Sequence, residues 1–510
     1  MHAKRRVNQA TDLARPKPSL SSLSSLPNIP LSMPNQAPTI ALKPHPVAGR
    51  RVLVVGLGRF GGGVGVTRWL VAQGAKVTVT DQAAHQSLTE SVEAIADLPV
   101  ALHLGTHDEH DLDSTDLVIV NPAVNKSTSD FFQALVRRGI PWTTEMNLFC
   151  ERCPATVIGV TGSYGKSTTC AMLAEVFEAA RRAGAVSFRA VHLGGNIGRS
   201  LLSELDVMDE RDLVVLEMSN AQLEDQPRIN WAPDVAVITN LFPHHLDRYG
   251  SFAGYVQAKL NIVRDPTGRS PVIVGELHPE AEPLLTAALE ERVYQPMKID
   301  RRVPVVPADP PVELRVPGRH NQMNAACVLT VCRVIMGRDE SVARKALAQF
   351  RGLPHRLEHV RNLKGVDYYN DSKSTAPAAT IIALEAIADS PEPRISGCVE
   401  SPRKIVTIVG GQRKEVSLSE CATTLARYCR VVICMGESGA DFAQAVQRLG
   451  AGFRPPKIHA VAALPEAVRL AHAEAKPGDV VLFSPGAPSF DQYANFTERG
   501  AHFSELVQAL

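Results

Sequence analysis

Thr156-Val-Ile-Gly-Val-Thr-Gly-Ser-Tyr-Gly-Lys-Ser-Thr-Thr169 runs from an apolar, β-branched strand through a glycine-rich turn into an amphipathic helix over Cys170–Ala180. That succession is what a phosphate-binding loop requires. Gly162 and Gly165 let backbone N–H groups converge on phosphate oxygens, the helix N-terminus adds partial positive charge, and Lys166 supplies a point charge. Ser167 is then placed to bind magnesium. The strict G-x-x-x-x-G-K-[ST] form is not met, because Val160 stands where the first glycine belongs.

Two neighbouring stretches extend the pattern. Leu213-Val-Val-Leu-Glu217 ends an apolar strand in an acid, and Glu217 is the candidate for a second magnesium ligand. Taken alone, an acid after a strand is more often a helix cap or a solvated side chain. Asn240-Leu-Phe-Pro-His-His-Leu-Asp247 follows a further strand and puts His245 beside the metal or substrate; a capped turn is the alternative.

Outward from this centre, short β-branched runs alternate with helical patterns from Arg51 onward, which predicts parallel sheets covered by helices on both faces. The strands fall into three blocks: Val52–Val55, Val77–Thr80 and Leu117–Val120; Thr156–Val160, Leu213–Leu216 and Val235–Thr239; and Ile405–Val409, Val431–Met435 and Val480–Phe483. The expected fold is therefore three α/β domains: a Rossmann-like first domain (48–150), a central P-loop ATPase-type parallel sheet (151–353) and a Rossmann-like C-terminal domain (354–510). Three domains also suit a chain of 510 residues. Ala388–Arg403, with its Pro, Ser and Gly, reads as an inserted surface loop. Residues 1–47, rich in Ser, Pro and basic side chains, bury too little to order themselves and read as a disordered extension.

Composition narrows the function classes. A formal net charge of +1, with no basic stripe interleaved with aromatics, asks for no nucleic-acid partner. No apolar run is long enough to span a membrane. The nine cysteines lie scattered in apolar stretches, which fits a reducing cytoplasm rather than a disulfide framework. Cys150 and Cys153 form one C-x-x-C, but no second pair follows at zinc-ribbon spacing.

The first block also carries Gly56-Leu-Gly-Arg-Phe-Gly61 after a strand, with Asp81 ending the next one. Read by itself this is a dinucleotide fingerprint and would make the protein an NAD-dependent oxidoreductase.

With these stretches in place the chain resembles the Mur ligase family. The resemblance rests on Gly159-Val-Thr-Gly-Ser-Tyr-Gly-Lys-Ser-Thr168, Gly194-Gly-Asn-Ile-Gly198, Glu217 with Gln222-Leu-Glu224, and His245-Leu-Asp-Arg248. It continues through Ala258-Lys259, Pro317-Gly-Arg-His-Asn321, Gly352-Leu-Pro-His-Arg-Leu-Glu358, Asn370-Asp-Ser-Lys373 and Ser489-Phe-Asp-Gln492. It implies an ATP-dependent ligase of peptidoglycan precursor synthesis that joins glutamate, the D enantiomer preferred over L, to UDP-N-acetylmuramoyl-L-alanine through an acyl phosphate. Gly162, Ser163, Gly165, Lys166, Ser167, Thr168, Asn321, Arg356 and Asp371 would bind ATP. Ser167, Glu217, His245 and Lys259 would arrange one or two Mg2+ ions, with Lys166, Glu217, His245 and Lys259 as the catalytic set. Lys259 would be carbamylated by this likeness; from the residues alone, Tyr255-Val-Gln-Ala-Lys259 reads as helix with a surface lysine. Phe60, Asp81, Asn121 and Asn196 would hold the UDP-substrate, and Lys373, Thr375, Lys414, Ser489 and Phe496 the glutamate. A cytoplasmic monomer is implied. The chain departs from the family pattern at Ala123, at Ser219-Asn-Ala-Gln222, at His244, at Arg413 before Lys414 and at Pro488, and several of these bear on which glutamate enantiomer is used.

Overall fold

A computed structural model describes residues 47–58, 61–197, 200–290, 302–388, 405–449 and 455–510, with the side chain of Asp247 also left out. The calls on residues 1–46, Phe60 and 389–403 lie outside the described residues. Val47, assigned to the extension, is buried against the first block.

Three sheets follow one another along the chain. The first contains β1 (Arg51–Val55), β2 (Lys76–Asp81), β3 (Ala101–Leu104), β4 (Leu117–Val120) and β5 (Trp142–Thr143), in the order β3-β2-β1-β4-β5. The second contains β6 (Thr156–Thr161), β7 (Val191–Gly195), β8 (Leu213–Glu217), β9 (Val235–Leu241), β10 (Val272–Leu277) and β11 (Arg302–Pro304), in the order β11-β10-β9-β6-β8-β7. Both are parallel throughout. The continuous apolar runs demand this arrangement, since β1, β4, β6 and β8 are buried along nearly their whole length and need helices on both faces.

The third sheet, β12 (Glu358–Leu363), β13 (Val366–Asn370), β14 (Ile405–Gly410), β15 (Cys429–Met435), β16 (Lys457–Ala460) and β17 (Val480–Phe483), runs β12-β13-β17-β14-β15-β16. It corrects the expectation of a purely parallel third sheet, because β12 and β13 pair antiparallel. Their two-residue turn, Lys364-Gly365, has both residues at positive φ (50° and 81°), the geometry that matches the right-handed twist of a hairpin.

In the second sheet the order reverses at β6, which lies between β8 and β9. The crevice beyond the carboxyl ends of these strands is where ligands bind in open α/β sheets. One apolar core runs without interruption from the first sheet into the second, through Trp69, Met146, Leu201, Leu216 and Tyr255 among others. The cores on the two faces of the third sheet involve residues 357–507 alone.

Candidate active site

The turn after β6 is held from below. Ser163 N–H donates to Asn240 O (3.0 Å) and Tyr164 N–H to Asn240 Oδ1 (2.9 Å). The Ser163 hydroxyl donates to Phe242 O and accepts from Phe242 N–H, both at 2.9 Å, and from Tyr255 Oη–H at 3.0 Å. Ser163, predicted to bind ATP, is thus turned inward as a brace of the loop. Gly162 and Gly165 are obligatory: they sit at φ 153° and 77°, and a Cβ on either would fall 2.0 Å from Thr239 Oγ1 or 2.3 Å from Asn324 Oδ1.

The helix Lys166–Arg182 starts directly from this turn. Its first N–H groups lack intrahelical partners and point at the crevice. Lys166 Nζ folds back on the loop carbonyls of Gly162 (2.9 Å) and Ser163 (3.2 Å), a placement from which phosphate oxygens can draw it away. Burial lowers its pKa, Arg356 adds to that, and Glu217 opposes it. The three charges therefore lie within electrostatic reach of one another.

Glu217 stands at the end of β8, in register with Val160 of β6 and Gly195 of β7, and is 1% exposed. Its Oε1 accepts from Asn196 Nδ2 (2.9 Å), while its Oε2 is buried with no hydrogen-bond partner. An orphaned carboxylate oxygen at a phosphate loop fits a cation. Among the described residues no three His, Cys, Asp or Glu side chains converge on one point. Magnesium takes one or two carboxylates and completes its shell with waters and substrate phosphates, a demand that the free oxygen of Glu217 can meet.

Lys259 corrects its reading as a surface lysine: it is 0% exposed, at the end of the helix Phe252–Leu260. Its Nζ donates to Thr161 Oγ1 at 3.4 Å and lies 5.0 Å from the centre of the Tyr255 ring. Burial holds its pKa well below the usual lysine value, with Lys166 adding to that and Glu217 opposing. His245 is exposed, in the left-handed region at φ 51°, and caps the short helix Leu246–Tyr249. Its ring lies 4.1 Å from that of His244.

Asn321 is buried at the start of the helix Arg319–Met336, donating to Pro317 O (2.7 Å) and accepting from Asn324 Nδ2 (3.1 Å). Arg356 stands between two residues at positive φ, His355 (63°) and Leu357 (44°). Their N–H groups are held by Glu358 Oε2 (2.8 Å) and Asp371 Oδ1 (3.2 Å). Asp371 also accepts from the hydroxyls of Ser374 and Ser484. Burial pushes its carboxyl up to about 6, against these hydrogen bonds and Arg356. Asp371 thus braces the backbone next to Arg356.

Lys373 lies within electrostatic reach of Arg356 and Glu217, and 5.7 Å from the Phe496 ring centre. Thr375 and Lys414 line a cavity of about 210 Å³ that also touches Gln412, Asp441, Phe442 and Pro488. Arg413 is drawn off by Asp441 (2.7 Å), leaving Lys414 as the basic side chain at that cavity. Ser489 is buried one residue beyond the cavity wall.

In the first sheet, Asp81 accepts from Gly58 N–H (3.0 Å) and Ala83 N–H (2.8 Å), and Asn121 Nδ2 donates to Gly56 O (3.1 Å). Cys150 and Cys153 form no metal cluster, and burial raises both thiols, Cys153 to about 12.

Sequence reading missed Asn240, Tyr255 and Asn324, which shape the loop, although Asn324 follows Asn321 by three residues on the same helical face. It also missed Arg499, fully buried and lowered to about 10 by burial, which clips Ser372 to the carbonyls of Ala487 and Pro488. Its signal is a cation on the buried face of an amphipathic helix, beside Phe503 and Val507.

Comparison with known proteins agrees with this architecture. Residues 50–143 match the family model described as "Mur ligase MurD-like, N-terminal domain", 160–295 "Mur ligase middle domain" and 355–486 "Mur ligase, glutamate ligase domain". The UDP-N-acetylmuramoylalanine–D-glutamate ligase of Symbiobacterium thermophilum is 35% identical over 480 residues, covering 90% of this chain and 98% of its own. That of Roseiflexus sp. is 33% identical over 494 residues, covering 91% and 99%. Among solved structures, the UDP-N-acetylmuramate–alanine ligase of Thermotoga maritima superposes with a TM-score of 0.53 at 21% identity, over 90% of this chain and 99% of that one, which shows the fold. With three family models in order and full-length relatives above 30% identity, the chain belongs to the Mur ligase family.

Proposed function

We propose that this protein joins D-glutamate to the carboxylate of UDP-N-acetylmuramoyl-L-alanine with consumption of ATP, in peptidoglycan precursor synthesis. The relatives named for that reaction align over nine-tenths of the chain, and that they are D-glutamate ligases favours the D enantiomer. Within the site, the observation that carries the reading is the buried, unpartnered Oε2 of Glu217 beside the Lys166 loop.

A carboxylate is a poor electrophile, so its oxygen first attacks the γ-phosphorus of ATP in line; the bond to the β,γ-bridging oxygen breaks and ADP leaves. Lys166 and the loop amides neutralise charge on the transferred group. Magnesium, when bound by Ser167, Glu217, His245 and a carbamate on Lys259, supplies electrostatic stabilisation of the phosphoryl oxygens. The buried Lys259 favours its neutral amine, the form that adds CO2. The glutamate amine then attacks the acyl carbon and phosphate departs.

In this reading the units 48–150, 151–353 and 354–510 take the UDP-substrate, ATP and glutamate respectively. Asp81, Asn121, Asn196 and Phe60 serve the UDP-substrate; Gly162, Gly165, Thr168, Asn321, Arg356 and Asp371 serve ATP, and Ser163 braces its loop. Lys373, Thr375, Lys414, Ser489 and Phe496 hold glutamate. Among the described residues no helix is long and apolar enough to cross a membrane; ATP and a UDP-sugar as substrates support the cytoplasm.

The test is phosphate release in the presence of ATP, Mg2+, UDP-N-acetylmuramoyl-L-alanine and each glutamate enantiomer. Release should require both substrates and D-glutamate; release with L-glutamate alone overturns the stereochemical assignment, and release independent of both substrates overturns the ligase reading.

A further inference from the structure

Glu224 and Arg248 belong to stretches that the reaction above leaves without a task. Glu224 directly follows the helix Asn220–Leu223, which begins three residues after Glu217. Arg248 lies in the helix Leu246–Tyr249, capped by His245. The two side chains meet: Arg248 Nη2 donates to Glu224 Oε2 at 3.2 Å. The other oxygen of Glu224 accepts from Tyr249 Oη–H, which in turn accepts from Asn220 Nδ2 at 2.6 Å. Asn220 is one of the residues by which this chain departs from the family pattern, so the departure is joined to this cluster.

The cluster also reaches into the first sheet. The Arg248 guanidinium donates with both Nη atoms to Pro122 O (3.4 and 3.3 Å). Lys126, on the same loop, pairs with Asp225 at 2.9 Å and approaches Glu224 at 4.0 Å. That loop leaves β4 through Asn121, whose side chain braces the Gly56–Gly58 turn. The side chains are between 5% and 26% exposed, sheltered enough for their ion pairs to resist screening.

We propose that Arg248 and Glu224, with Lys126 and Asp225, form a strap that sets the distance between the loop holding the UDP-substrate and the strand ends holding ATP. The inference rests on the functional reading above. A substrate bound at its nucleotide end must deliver its far carboxylate to the γ-phosphorus, so an error in spacing between the two loops misplaces the nucleophile. Misplacement by about 1 Å costs on the order of 10²-fold in rate. These are positioning residues, since none of them needs to touch a reacting atom.

The experiment uses the full chain and the variant Arg248→Ala. Turnover of UDP-N-acetylmuramoyl-L-alanine should fall about 10²-fold in kcat, while the Kd of UDP alone, the Kd of Mg-ATP and the thermal midpoint stay within twofold or 2 °C. Arg248→Lys, which keeps one donor, should recover part of the loss. Unchanged kcat overturns the proposal, and so does a loss of UDP or ATP affinity equal to the loss of turnover, which would assign Arg248 to a single pocket. If Arg248→Ala fails to fold, Lys126→Ala carries the same expectation, the same two overturning outcomes and removes the other half of the strap. Absence of turnover in the unaltered enzyme would instead refute the functional reading, so the two failures are distinguishable.

Discussion

The protein contains two strand–glycine turn–helix units that look alike along the backbone and differ in what surrounds them. After β1, Gly56 and Gly58 take positive φ, yet the Gly58 N–H is already held by the carboxylate of Asp81. After β6, Gly162 and Gly165 do the same, but the nearest acid, Glu217, keeps an oxygen without a protein donor, and a lysine opens the helix. The first turn is held by the carboxylate at the end of β2, whereas the second carries a lysine and lies near a carboxylate oxygen with no hydrogen-bond partner. A glycine fingerprint therefore reports only that a backbone can approach a ligand. The neighbouring charges differ between the two turns, and it is the family to which the chain belongs that sets aside the NAD reading of the first.

The largest expected effect tests the second turn. Lys166→Ala should lower phosphate release by on the order of 10³-fold with an unchanged circular dichroism spectrum, because it removes the cation held against the loop carbonyls. Near-normal turnover would erase the contrast with the first turn. Next comes the buried lysine near Glu217, which has no counterpart in the account of the first turn. Lys259→Ala should cost on the order of 10²-fold, partly restored by added formate or acetate, if a carbamate completes the anionic set beside Glu217. Activity indifferent to the substitution would leave Glu217 as the sole anion there.

A smaller effect belongs to the first turn. Asp81→Ala should raise KM for the UDP-substrate about 10-fold, as the loss of a charge-assisted hydrogen bond of about 1.5 kcal/mol implies, and leave kcat and KM for ATP unchanged. A kcat defect would mean that the two turns do not divide the work as described.

The smallest effect extends the comparison to Asp371, a buried acid of the third block. Burial raises the carboxyl of Asp371 to about 6. Its protonated form is favoured by folding, so its stabilisation is complete below the ordinary carboxylate range and is lost as pH rises through 6. The thermal midpoint of the protein should therefore carry a downward slope between about pH 4 and 7 from this group. Asp371→Asn should flatten that slope by a few degrees in differential scanning calorimetry, and an unaltered slope would place the titration elsewhere.

The strand runs, the phosphate loop and the ends of β8 and β9 were legible because each is written in contiguous residues: β-branched runs, glycines at fixed spacing, an acid or histidine just past a strand. The hairpin of β12 and β13 was not legible, since β12 is a part-exposed edge strand with a polar sequence and Lys364-Gly365 is a weak turn signal. Ser163 was assigned to the ligand by its place in the motif, and packing against Phe242 and Tyr255 turned it inward. Lys259 looked like a surface residue because helical periodicity says which positions share a face, not which neighbour covers that face.

The sequence by itself determined the three α/β blocks, the phosphate loop and the family, because these depend on local periodicity and on residues a few positions apart. Only the tertiary structure decided the states of the charges. Glu217 with one oxygen unpartnered, Lys259 stripped of water, Asp371 raised by burial and Arg248 bridging two sheets are consequences of desolvation and of contacts between residues as far as 126 positions apart. Burial and long-range pairing are properties of the packed chain, and no stretch of residues encodes them alone.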